Sequence, residues 1–190
     1  MNIQVKNLRK TYNNTAVLED LSFTAGPGVT CVMGPSGAGK TTLLRLLMGL
    51  EKPDGGVILG ADCRWSAVFQ EDRLLESLDA AGNLRFVLGR DFDSRAAALL
   101  LEELGLGDAG GKIAGEYSGG MKRRLSLARA LLSPWDALAL DEPFSGLDSV
   151  SRERAAECIR RYGRGRPVLA VTHDPGDMEA LEAVQAVYLG

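Results

Sequence analysis

Residues 34 to 42 run Gly34-Pro35-Ser36-Gly37-Ala38-Gly39-Lys40-Thr41-Thr42 and follow an apolar stretch from Val29 to Met33. A G-x-x-x-x-G-K-T spacing between a buried strand and a helix is the setting a phosphate-cradling loop requires. Small residues let consecutive backbone N–H groups face one anion, and the helix that follows offers its positive end. Lys40 can reach outer phosphates as a point charge, and the Thr41 hydroxyl can ligate Mg²⁺. A Gly-rich turn without function is the bland alternative. The nine residues together predict a nucleoside triphosphate site.

Two further polar clusters follow apolar runs. Ala137 to Leu140 ends in Asp141 and Glu142, then Pro143. Adjacent residues at a strand end point apart, so two roles are open: Asp141 can hold Mg²⁺ through its water shell, and Glu142 can polarise an attacking water. His173, the single histidine, follows the Pro167 to Val171 run, where a γ-phosphate contact is the expectation. Gln70 follows a short strand near Ala67-Val-Phe69; its amide can ligate Mg²⁺ or orient water without titrating. Tyr12, in Lys10-Thr-Tyr12, could stack on a purine or pack between strands.

Tyr117-Ser118-Gly119-Gly120-Met121-Lys122-Arg123-Arg124 is the least expected segment. Ser118 should cap a helix whose first N–H groups Gly119 and Gly120 leave open, and three cations crowd that positive end. Cations there cost on the order of 0.3–1 kcal/mol each, which a bound anion would offset. A solvated basic face is the equal alternative.

Positioning these groups needs alternating strands and helices. Ile3 to Leu8 and Val17 to Thr24 alternate like strands, and Val29 to Met33 reads as buried. A helix is expected from Gly39 to about Gly49, then a Pro53-Asp-Gly-Gly turn and short strands near Val57-Ile-Leu59 and at 67 to 69. Residues 76 to 116 become helical, with Ser94 as N-cap of a helix ending at Gly105. Ser118 to Ser133 has helical spacing; two strand–helix units follow, with helices capped by Ser149 and beginning after Asp174, and Val184 to Leu189 closes as a strand. The expectation is an α/β fold with a mainly parallel sheet, N-terminal antiparallel strands and an inserted helical subdomain at 76–116, the core being 1–75 and 117–190 of one domain. In such sheets ligands sit beyond the carboxyl ends of strands, the edge the three polar clusters share.

The 190 residues are 45% hydrophobic with a net charge of −3, which suits one globular domain and gives no global drive toward nucleic acid or anionic membrane. No signal-peptide pattern or membrane-spanning run occurs, and Cys31, Cys63 and Cys158 lack metal spacing and fit reduced cytoplasmic thiols.

Taken together, the segments resemble the ATP-binding subunit of an ABC transporter, over nearly the whole chain and in order. Gly34 to Thr42 matches the Walker A loop, Gln70 the Q-loop, Tyr117 to Met121 the signature, Leu138 to Pro143 the Walker B strand, Ser145-Gly-Leu-Asp148 the D-loop, His173 the switch histidine and Tyr12 the adenine-stacking aromatic. The resemblance implies a P-loop NTPase of the ABC type using ATP and Mg²⁺, with Ser118, Gly119, Gly120 and Asp148 serving nucleotide in a head-to-tail ATP-sandwich dimer with a second copy or a homologous subunit. It implies a cytoplasmic protein, peripheral on the inner face of the membrane, docked on a transmembrane permease near Gln70 to Leu75 and the helical insert, with a substrate-binding protein as a further partner and no nucleic acid. The runs 68–75 and 120–124 are similar to the nitrate, sulfonate and taurine importer group, although Tyr117 replaces the usual leucine, Met121 the usual glutamine, and Arg123 a frequent glutamine. The short stretch after the last strand leaves no room for a regulatory C-terminal domain. A non-transport ABC ATPase of DNA repair or the ribosome is the alternative, disfavoured by the short insert and the lack of a basic patch. A GTPase or kinase lacks the guanine motif, and a non-hydrolysing module would not need Glu142, Gln70 and His173.

Overall fold

A computed structural model describes residues 1–109 and 111–190. Eight strands carry the site's framework, and among the described residues they fall into two sheets. The first is antiparallel: β1 (Ile3–Tyr12) lies between β2 (Thr15–Ala25) and β4 (Gly55–Leu59). The second is parallel, in the order β5 (Trp65–Val68), β6 (Ala137–Asp141), β7 (Pro167–Thr172), β3 (Gly28–Met33), β8 (Gln185–Tyr188). Buried, mainly apolar runs at 29–33, 137–140 and 167–171 form its centre, as expected of strands covered on both faces.

Period-two alternation divides the core cleanly. Ala137, Ala139, Leu169 and Val171 face α1 (Lys40–Leu47) and the antiparallel sheet, packing with Leu43, Leu47, Ile3 and Leu8. Leu138, Leu140, Val168 and Ala170 face the other helices. These are α2 (Ala80–Leu88), α3 (Ser94–Glu103), α4 (Gly119–Leu132), α5 (Ser149–Gly163) and the short α6 (Pro175–Ala180). The insert is not a separate core: Leu84, Leu100 and Leu104 join the same cluster as Leu125 and Leu138. Each is fully buried, so truncation to alanine would cost about 2–5 kcal/mol.

Two helix starts differ from the sequence expectation. α3 is capped by Asp93, not Ser94; its carboxylate accepts from the Arg95 and Ala96 N–H groups. α5 is capped by Asp148, not Ser149, through the Ser151 N–H at 2.9 Å. In each Asp-Ser pair the aspartate keeps extended backbone while the serine has turned helical, so only the aspartate can reach back to the open donors. Ser118 does cap α4, accepting from Met121 N–H at 3.3 Å.

The three cysteines are free. Burial pushes the Cys31 thiol up to about 12 and Cys158 to about 11, so neither is a thiolate near neutrality.

Candidate nucleotide site

The loop between β3 and α1 has the backbone its glycines permit. Gly39 caps α1 in the left-handed region (φ 88), and a Cβ there would stand 2.7 Å from Val17 Cγ1. A Cβ on Gly34 would come within 2.6 Å of the Leu189 carbonyl. Lys40 folds over the loop, donating to the Gly34 carbonyl at 2.6 Å and the Pro35 carbonyl at 3.0 Å. Its ammonium is thus fixed above the loop where an anion on the backbone N–H groups would meet it.

A cleft of about 360 Å³ opens over this loop, within the size range of small-ligand sites. Tyr12 and Val17 line it from the antiparallel sheet, Ser36, Gly37 and Gly39 to Thr42 from the loop, and Gln70, Asp141 and Glu142 from the ends of β5 and β6. Gly34, Pro35 and Ala38 shape the loop without lining the cleft. The Tyr12 ring is 39% exposed, its hydroxyl donates to the Glu51 carboxylate, and Lys10 Nζ lies 5.1 Å from the ring centroid.

The Thr41 hydroxyl donates to Asp141 Oδ2 at 2.7 Å. Burial raises the Asp141 carboxyl above its usual range, partly offset by that hydrogen bond. A hydroxyl, a carboxylate and the Gln70 amide around one cleft are hard oxygen donors of the kind Mg²⁺ takes beside phosphates. Glu142, one residue on, has left-handed backbone (φ 49), a conformation costing about 1–3 kcal/mol and typical of strained functional positions. Its Oε1 lies 2.9 Å from His173 Nδ1. The hydrogen bond to Glu142, then its charge, raises the His173 pKa above the ordinary value. The histidine is framed by Thr172 and Asp174: the Thr172 hydroxyl donates to Asp177, and Arg152 pairs with Asp174 at 3.0 Å and Asp177 at 2.6 Å.

Ser118, Gly119, Gly120 and Asp148 do not line this cleft. Ser118 and Gly119 are exposed, and Asp148 spends its carboxylate on the Ser151 N–H and hydroxyl. A Cβ on Gly120 would lie 2.9 Å from the Gly146 carbonyl, so the start of α4 abuts the segment leading to α5.

The three cations after Gly120 form neither the anion-facing group nor the solvated basic face between which the sequence left the choice even. Lys122 pairs with Glu76 at 2.8 Å. Arg124 donates to the Leu104 and Gly105 carbonyls at the end of α3, at 2.8 and 3.0 Å. Arg123 is buried against the Phe69, Asp141 and Glu142 carbonyls and the Asp72 carboxylate. Protein carbonyls and carboxylates supply the counter-charge, so no ligand is needed to offset the helix dipole.

Sequence reasoning missed Asn83 and Arg129 as well. Asn83 is buried in α2 and exchanges hydrogen bonds with both the Leu75 N–H (2.8 Å) and Leu75 carbonyl (3.0 Å). Arg129 donates to the Asp72 carbonyl at 2.7 Å and the Arg73 carbonyl at 2.6 Å. The stretch after Gln70 is therefore held along its length by α4 and α2. No spacing rule links Arg129 to partners 56 and 57 positions away, and the Asn83 contacts depend on how the chain turns back from Leu75 into α2.

The family profile described as ABC transporter matches residues 18–145, from β2 through the end of β6 and the turn after it. This chain belongs to the ABC transporter family. An aliphatic sulfonates import ATP-binding protein of Burkholderia cenocepacia is 34% identical over 99% of this chain and 71% of its own length. Another, from Nocardia farcinica, is 42% identical over 90% of this chain and 71% of its own. A dimeric bacterial ABC transporter cassette, MJ0796, superposes with a TM-score of 0.85 at 25% identity, covering 98% of this chain and 94% of that one. The same cassette bound to ADP and Pi gives 0.85 at 24% identity, again over 98% of this chain and 94% of that one, a likeness of fold. The chain is thus an ATP-binding ABC ATPase, an α/β P-loop fold, and a transporter subunit of that family. Among the described residues no helix is long and apolar enough to cross a membrane.

Proposed function

We propose that this chain binds Mg²⁺-ATP in the cleft over residues 34–42 and hydrolyses it as one half of a head-to-tail dimer docked on an importer permease. The observation that carries this is the convergence of Lys40, Thr41, Gln70, Asp141 and Glu142, from three separate strand ends, on one cleft. The loop N–H groups and Lys40 grip the β- and γ-phosphates, and exchange of the Gly34 and Pro35 carbonyls for phosphate oxygens releases the ammonium to do so. Thr41, Asp141 and Gln70 would hold Mg²⁺, which neutralises charge on the phosphates. Glu142 takes the proton of the attacking water, while His173 fixes its carboxylate and reaches the γ-phosphate side. Tyr12 stacks on adenine.

Ser118, Gly119, Gly120 and Asp148 act on the nucleotide of the partner copy. Their exposure or capping outside their own cleft, and the abutment of Gly120 on Gly146, favour one shared dimer face. The permease would dock in a second cleft of about 510 Å³, lined by Leu50, Trp65, Phe69, Val87 and Arg129 and contiguous with the segment after Gln70. This assigns the chain to the cytoplasmic face of the membrane. Its similarity to sulfonate import subunits supports import of a small organic anion, an aliphatic sulfonate, delivered by a substrate-binding protein.

The direct test is ATP turnover by the purified chain at high protein concentration. Lys40→Ala should lower it by at least about 100-fold, the scale on which one preorganised charge contact contributes. Turnover unchanged by the substitution would overturn the assignment of the cleft.

A further inference from the structure

Arg123 is the buried cation of α4, its side chain only 4% exposed. A guanidinium out of water is tolerated where its N–H groups are all engaged, and its planar fork can serve two directions at once. Nη2 donates to the Asp141 and Glu142 carbonyls, each at 2.7 Å. Nη1 donates to the Phe69 carbonyl and, at 3.2 Å, to the Asp72 carboxylate. β5 and β6 are neighbours whose ladder ends at the Val68–Leu140 pair. The guanidinium therefore joins the two strands one residue beyond their last pairing, where one chain continues to Gln70 and the other to Glu142.

The consequence falls on Glu142. Its N–H donates to the Val171 carbonyl at 3.0 Å, and its own carbonyl accepts from Arg123. Its carbonyl also accepts from the Ser145 N–H at 3.1 Å, within the turn after β6, so its left-handed backbone is held by three bonds, of which only the Arg123 bond comes from outside the sheet and its own turn. The Val171 bond belongs to the rigid sheet. The Arg123 bond belongs to α4, the helix capped by Ser118 and opening with Gly119 and Gly120.

We propose that Arg123 is a positioning residue for Glu142: it sets the direction of the glutamate through its carbonyl and ties it to the tip of α4. This rests on the ATPase dimer described above. In that dimer the tip of α4 meets the partner's nucleotide, so Arg123 makes closure over one nucleotide a condition for aligning the base at the other. A lysine cannot replace it, since one ammonium does not span both strand ends. A glutamine offers two N–H groups, enough for the Asp141 and Glu142 carbonyls but without charge for Asp72.

The test compares Arg123→Lys and Arg123→Gln, each alone and with Glu142→Gln. The readouts are kcat and KM for ATP, affinity for a fluorescent ATP analogue, and the NMR titration of the single histidine. Arg123→Lys should lower kcat roughly 10- to 100-fold, the effect of displacing a catalytic group by about an ångström, with nucleotide affinity within about twofold. Arg123→Gln should recover part of that loss. The His173 titration should move down in Arg123→Lys, as it does when Glu142 is replaced, and Arg123→Lys should cause no further rate loss in the Glu142→Gln background. Unchanged kcat in both variants overturns the proposal. So does an equal fold-loss with and without the Glu142 carboxylate, or lost affinity with an unmoved His173 titration. If Arg123→Lys fails to fold, Arg123→Gln decides by the same three readouts. Absence of turnover in the unmodified chain, by contrast, strikes the ATPase assignment itself.

Discussion

Glu142 and His173 form a pair whose behaviour is open to a clean measurement, because the chain holds a single histidine. The Glu142 hydrogen bond, with its charge behind it, favours imidazolium, so the folded-state pKa lies above the ordinary histidine value. The sign of the pH dependence follows. The contact stabilises the fold fully below the ordinary value and is lost as pH rises through the raised one. An NMR titration should place the His173 midpoint above that of an exposed peptide histidine, and Glu142→Gln should bring it down. A midpoint unmoved by Glu142→Gln would mean the 2.9 Å contact does not persist in solution. The ring is largely exposed, so the pair is a device for orientation rather than stability.

Individual elements show why some parts of the site were legible in sequence and others were not. The phosphate loop was, since its spacing, its glycines and the flanking strand and helix all lie within the twenty residues from Gly28 to Leu47. The two carboxylates at the end of β6 were, because an apolar run announces its own end. The helix starts were displaced by one residue, Asp93 for Ser94 and Asp148 for Ser149. Both members of each pair are good caps, and the choice is made by where the backbone leaves the extended region. The basic trio of α4, for which the sequence left two readings even, was not legible for a different reason. Successive helix positions diverge by about 100°, so three adjacent cations reach three separate partners, Glu76, the Asp141 region and the end of α3. Those partners are set by tertiary packing alone. Cap placement gives a stability test: Asp93→Ala should cost about 1 kcal/mol in urea denaturation, and Ser94→Ala only a few tenths. Equal losses would return the cap to Ser94.

At the scale of the whole molecule, the proposed function makes the cleft half a site, the other half coming from a second copy. Gly119 allows that to be tested without disturbing the chain itself. It is exposed, its φ is not in the left-handed region, and a Cβ there would meet nothing within 4 Å. It also opens α4, where an added carboxylate is favoured by the helix dipole. Gly119→Asp should therefore fold with an unchanged or slightly higher melting temperature and bind ATP as a monomer. Glu142→Gln should bind ATP, hydrolyse it only at a small residual rate, and accumulate as a dimer, visible as a doubled mass by light scattering. Adding Gly119→Asp to that background should return the mass to one chain, because the new charge would face the partner's γ-phosphate. A dimer that persists with aspartate at 119 would place the tip of α4 away from nucleotide, and the two halves of the site would have to be joined in some other way.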